Sequence, residues 1–108
     1  MGRLNVLPGG DTVPKYVVLV NWTEKGISSA KQTPDRAKQV AQMVEQLGGK
    51  IDTILWTLGR YDLVAITNAP DDETAALIGL KLGAMGSVRT ETMRAFSADE
   101  IGAIVAKL

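Results

Sequence analysis

Two strand-forming runs, residues 51–58 and 61–68, are separated only by Gly59 and Arg60. A two-residue connection that opens on glycine is the signature of a tight hairpin of the II′ type, so these runs must pair side by side and antiparallel. Gly59 is expected there as a turn residue with positive φ. The rest of the chain has to be arranged around this hairpin. Upstream, Lys15–Trp22 (KYVVLVNW) sets Val17 and Leu19 against Val18 and Val20. It is apolar on both faces and reads as an inner strand of a covered sheet. Downstream, residues 88–96 (VRTETMRAF) alternate and carry Arg89, Glu91 and Arg94, the charge pattern of an edge strand guarded against stray pairing.

Helices fill the gaps. Residues 34–47 form the first, with Thr33 as a suitable N-cap, Pro34 at the first helical position and Gly48-Gly49 able to end it in a left-handed turn. Ala37, Val40, Ala41, Val44 and Leu47 make one apolar stripe, and Arg36, Lys38, Gln39, Gln42 and Gln46 lie off it. The second helix opens on Asp71-Asp72-Glu73, where the macrodipole favours negative charge, and closes at Gly86. Gly79 and Gly83 share a face of it, which suggests close backbone approach. Ser97-x-x-Glu100 is a capping box opening a last helix with Ile101, Ile104, Val105 and Leu108 on one stripe, a helix expected to pack against something. Residues 23–33 form an eleven-residue connection with Gly26 and four hydroxyls, read as either a lid or slack.

The order is strand, helix, strand, strand, helix, strand, helix. Right-handed crossovers place both long helices on one face of a four-stranded antiparallel sheet, an α+β domain of the ferredoxin-like βαββαβ kind with an added C-terminal helix. Its other face stays bare although the first three strands are apolar there too. A second copy of the chain stacked on that face is the simplest cover.

Length and composition bound the function. The 108 residues suit one domain, assigned to residues 15–108, with residues 1–14, which hold Pro8, Gly9, Gly10 and Pro14, as a tail outside it. Twelve basic and twelve acidic residues cancel, so no broad positive field gathers nucleic acid or anionic lipid. Apolar runs are too short to cross a bilayer, and the cytoplasm is the expected address. Cysteine and histidine are both absent, which removes disulfides, thiolate nucleophiles, the common zinc sites and imidazole bases. No metal and no cofactor are expected. Any catalysis would run on carboxylates, Tyr, Lys, Arg, hydroxyls or the backbone.

The strand YVVLVNWTEKGI, the stretch TPDRA before the first long helix, the hairpin TLGRYDLV, the helix opening APDDE and the stretch VRTETMRAFSADE together resemble the GYD family. The Gly-Tyr-Asp motif of that family stands here as Gly59-Arg60-Tyr61-Asp62, with an inserted arginine. The resemblance runs from about Lys15 to Leu108. It implies a ferredoxin-like fold of the dimeric α/β barrel type, a fold shared with cofactor-free monooxygenases, haem-degrading enzymes, isomerases and ligand-sensing domains of regulators. A fold used so widely does not fix function.

The candidate site residues are Asn21, Trp22, Trp56, Arg60, Tyr61 and Asp62. Asp62, one step into an apolar strand, needs a partner or a raised pKa: an ion pair with Arg94 or Arg89, plain solvation at the hairpin end, or service as a base. Tyr61 is either a packed aromatic with one hydrogen bond or a proton donor. Asn21 must have its amide satisfied by backbone, water or ligand. Trp22 and Trp56 are core bulk or ligand platforms, and Arg60 is a solvated tip residue or an anion clamp. Three functions fit: a homodimer binding a small molecule in a pocket between sheet and helices or inside the barrel, near Asn21, Tyr61 and Asp62, with residues 23–33 as a lid; a cofactor-independent enzyme using Asp62 as base and Tyr61 as acid or oxyanion donor on the same pocket; or an association module without catalysis.

Overall fold

The computed structural model describes residues 13–108. Its elements run β1 (Lys15–Trp22), α1 (Glu24–Ser28), a 3₁₀ turn (Ala30–Gln32), α2 (Thr33–Gln46), β2 (Lys50–Trp56), β3 (Leu63–Asn68), α3 (Asp72–Met85), β4 (Val88–Ala95) and α4 (Ala98–Val105). The sheet order is β2-β3-β1-β4 and every pairing is antiparallel. This is the expected ferredoxin-like α+β arrangement, with β1 and β3 inside and β4 on an edge. Of the expected tail, residues 1–12 lie outside the described residues. Pro14 joins the sheet end, its carbonyl accepting from the Ala69 N–H at 3.1 Å.

The core lies between the sheet and α2 and α3. Leu63, Ala65 and Thr67 alternate as buried residues on β3, while Val64 and Ile66 between them face away and are half-exposed. On β1, Tyr16 is buried on the helix side. The α2 stripe is as expected, with Val44 fully buried in it. Val17, Leu19, Val64 and Ile66 fall on the opposite face by strand alternation, and Leu55 and Met93 flank them at the edges through the registers Leu55↔Val64 and Val17↔Met93. No helix among the described residues covers that face with these side chains, and none is long and apolar enough to cross a membrane.

Several local expectations are corrected. The hairpin connection is not two residues but the six from Thr57 to Asp62. β3 proper starts at Leu63 because the Asp62 N–H turns to the Val20 carbonyl (2.9 Å) and the Thr57 N–H closes the loop on the Asp62 carbonyl (2.9 Å). Gly59 does hold positive φ, at +100°. Thr33 is not the N-cap of α2: the 3₁₀ turn leads straight in, Thr33 is already helical, and its hydroxyl instead accepts from Trp56 Nε1 at 3.1 Å. Gly48, at φ +89°, does end that helix. Gly79 and Gly83 make no close approach; a methyl at Gly79 would meet Thr90 Oγ1 at an ordinary 3.8 Å, and one at Gly83 would meet nothing within 4 Å.

Residues 23–33 are neither lid nor slack. Thr23 caps α1, donates its N–H to the Ser87 carbonyl (3.1 Å) and its hydroxyl to the Gly86 carbonyl (2.6 Å). Lys25 Nζ reaches the Met85 carbonyl at 2.9 Å. Arg36 Nη1 donates to the Ser29 carbonyl (3.0 Å) and hydroxyl (2.7 Å), and Nη2 to the Gly26 carbonyl (3.2 Å). The segment is thereby stitched to the α3–β4 junction on one side and to α2 on the other.

Candidate functional site

The six candidate residues are divided between the two faces of the sheet. Asn21 lies on the open face by alternation from Tyr16, Val18 and Val20, opposite Arg89. Tyr61 joins it there, its hydroxyl 3.4 Å from both Glu91 oxygens, and Arg60 stacks over the Tyr61 ring at 5.8 Å. Trp22 and Trp56 are on the helix side, with Trp56 tied to α2 through Thr33.

Asp62 sits at the strand end between the two groups. Its Oδ2 accepts the Trp22 N–H at 2.8 Å, and its own N–H is held by Val20. β3 ends before it can pair with Trp22, so the carboxylate takes the place of the missing ladder carbonyl. The expected ion pair with Arg94 is not made. Arg94 pairs with Tyr16 at the far end of β1, where it meets Glu100 Oε2 at 3.4 Å and lies over the Phe96 ring at 4.6 Å. Arg89 makes no salt bridge among the described residues.

Two uncovered apolar surfaces stand out instead. One is the open sheet face. Its middle is Val17, Leu19, Val64 and Ile66, with polar clusters at both ends: Lys15, Asn68 and Asp52 joined by contacts of 3.2, 2.8 and 3.7 Å at one, and Tyr61 with Glu91 at the other. The other is α4, whose packing on the other described elements is slight and includes the Arg94–Glu100 pair to β4. Its expected capping box is present, with Ser97 Oγ accepting from Glu100 N–H (3.1 Å) and Glu100 Oε1 accepting from Ser97 N–H (2.9 Å). The Ser97 N–H, then burial opposing it, then Arg94, set the Glu100 carboxyl; the net effect holds it below its usual range. The helix is thus well started, yet Ile101, Ile104 and Val105 are 44%, 46% and 50% exposed.

A third feature lies between sheet and helices, one of the two places expected for a pocket, but its lining does not include Asn21, Tyr61 or Asp62. α2 and α3 stand apart over the middle of the sheet and leave a cleft of about 170 Å³, lined by Val18, Val20, Val40, Leu63 and Leu82, with Arg36 among its few polar residues. Residue pattern alone did not give its lining. Val18 and Val40 read as filled core, and Arg36 as part of a solvated helix face. Among the described residues no group of three or more acidic, histidine or cysteine side chains could hold a metal ion.

Comparison with known proteins bears on these surfaces. The chain matches the GYD domain over residues 16–105. A protein of Thermus thermophilus named "Glutamine synthetase and cystathionine beta-lyase binding protein" is 34% identical over 84 residues, covering 77% of this chain and 88% of the relative. No solved structure matches the chain. A match running from β1 to the end of α4, with a relative that aligns over most of its own length, means that the chain belongs to the GYD domain family.

Proposed function

We propose that the protein is a cytoplasmic protein-binding module, a homo-oligomer joined through its open sheet faces that docks α4 into a groove on a partner enzyme. The observation that carries this reading is the α4 stripe. Ile101, Ile104 and Val105 recur at i, i+3 and i+4 within the helix, with Leu108, expected on the same stripe, in the turn just past its end; this is the anchor spacing by which an amphipathic helix lies in an apolar groove. A helix stiffened by a capping box and left uncovered by the other described residues has already met most of the ordering cost that a disordered segment meets on binding. The Thermus relative, named for binding glutamine synthetase and cystathionine beta-lyase, supports the same class of function and suggests the same kind of partner here.

The test is direct binding of this protein to purified glutamine synthetase and cystathionine beta-lyase from its own source, with Ile104→Glu beside the wild type. Ile104 is exposed, so the variant should melt with the wild type while its affinity falls at least about tenfold, as expected for loss of a buried anchor. Binding by neither enzyme, or equal binding by the variant, overturns the proposal.

A further inference from the structure

We propose that the cleft between α2 and α3 binds a small monocarboxylate with an apolar body, its carboxylate held by Arg36. This goes beyond the protein-binding reading and does not rest on it. The cleft walls are mostly apolar: Val18 and Val20 from β1, Val40 from α2, Leu63 from β3 and Leu82 from α3 supply much of them. Its volume of about 170 Å³ is close to the roughly 150 Å³ at which an apolar protein cavity stays dry and accepts benzene. A ligand body of about one ring, or a branched chain of similar bulk, fits that space, whereas water in it would find few polar partners.

Arg36 supplies the polarity the walls lack. Its guanidinium has five N–H donors. Nη1 uses both of its own on Ser29, and Nη2 uses one on the Gly26 carbonyl. That leaves the Nε–H and one Nη2–H, which lie along a single edge of the plane. Among the described residues no acceptor meets that edge and no carboxylate pairs with the charge. Two parallel donors on one edge match the two oxygens of a carboxylate, the bidentate geometry for which arginine is suited and lysine is not. The bonds to Ser29 and Gly26 also hold the guanidinium in place. It is therefore oriented before any ligand arrives, and little side-chain entropy is lost on binding. A cation that no carboxylate among the described residues neutralises, set beside an apolar wall, selects a ligand with one negative end and an apolar remainder.

The experiment uses benzoate as probe and benzyl alcohol, of like shape but uncharged, as its control, followed by methyl NMR on the full chain. Benzoate should shift the methyls of Val18, Val20 and Val40 saturably and leave those of Val17 and Ile66, on the open face, unmoved. Benzyl alcohol should bind about tenfold more weakly or worse, because it lacks the charge-assisted pair. Arg36→Lys, which keeps the charge and loses the fork, should weaken benzoate to the level of the alcohol. Val40→Trp, which fills the cleft, should abolish the shifts. The proposal is overturned if benzoate gives no saturable shift in the cleft at millimolar concentration, if the alcohol binds as well as benzoate, or if a folded Val40→Trp binds like the wild type. The charged-against-uncharged comparison is made on the wild type and so stands even if a variant fails to fold.

Discussion

Gly26 is the residue at which two stretches of backbone touch. A methyl built there would stand 2.0 Å from the Ser87 carbonyl oxygen, the atom that also accepts the Thr23 N–H. Gly26→Ala must push α1 away from the α3–β4 junction, and denaturant titration should show a loss of roughly 1–3 kcal/mol, the range for overpacking. Gly83→Ala is the contrast: with open space around it in the interior of α3, the same change should raise stability by roughly 0.4–1 kcal/mol. Equal effects at the two sites would refute the contact argument. Asp62 is decided by one bond. Asp62→Ala leaves the half-buried Trp22 N–H without its acceptor and should cost about 1–2 kcal/mol, while Asp62→Asn retains an acceptor oxygen and should cost less than half as much. That Asp62 needed a partner was legible from a carboxylate set in an apolar run. Its partner was not, because Trp22 becomes an orphan donor only once β3 is known to stop at Leu63.

Elements whose signals are local were readable, and those held from a distance were not. The capping box of α4, the acidic opening of α3, where Asp71 proves to be the N-cap rather than a first-turn residue, and the left-handed glycines 48 and 86 all lie within a few residues of the ends they define. Residues 23–33 looked like a free loop because what orders them, the Gly86 and Ser87 carbonyls and Arg36, is contributed by other parts of the chain. The tie between β1 and α3 is another long-range contact that no pattern announced. Tyr16, 3% exposed, donates its hydroxyl to Asp72 Oδ1 at 2.5 Å. Burial first, then the bond to the Asp72 carboxylate, push its pKa up to about 12. The folded chain thus holds this proton more tightly than the unfolded one, whose tyrosine titrates near about 10. The resulting stabilisation is fully present below about pH 10 and is lost as pH rises through about 12. Tyr16→Phe should cost about 1.5–3 kcal/mol at neutral pH, the scale for a hydrogen bond to a charged group. Its unfolding free energy should also lack the wild-type decline between those two pH values. A variant whose alkaline profile parallels the wild type would show that Tyr16 is not the group responsible.

At the scale of the whole molecule the question is what covers the sheet. A monomer of this fold would hold Val17, Leu19, Val64 and Ile66 against water on the two inner strands, with Leu55 and Met93 beside them. The polar clusters at either end of that patch, Lys15 with Asp52 and Tyr61 with Glu91, form a rim around it, as at interfaces where charge is kept out of the middle. Two such faces stacked about 10 Å apart would make one shared core of side chains that alternate with those already buried beneath the helices. A two-fold contact meets every substitution twice, so a single change at the centre is a sensitive probe. Leu19 is on β1, paired on both sides, and its side chain lies in the middle of the patch. Leu19→Glu therefore places two carboxylates in the shared core of the dimer but only a solvated one on the surface of a monomer. The wild type should show twice the chain mass by light scattering after size exclusion, and its melting temperature should rise with protein concentration, since association stabilises the folded state by mass action. The variant should show the single-chain mass and a melting temperature independent of concentration. A wild type that is monomeric at micromolar concentration, or a Leu19→Glu variant that remains a dimer, would mean that the open face is covered in some other way.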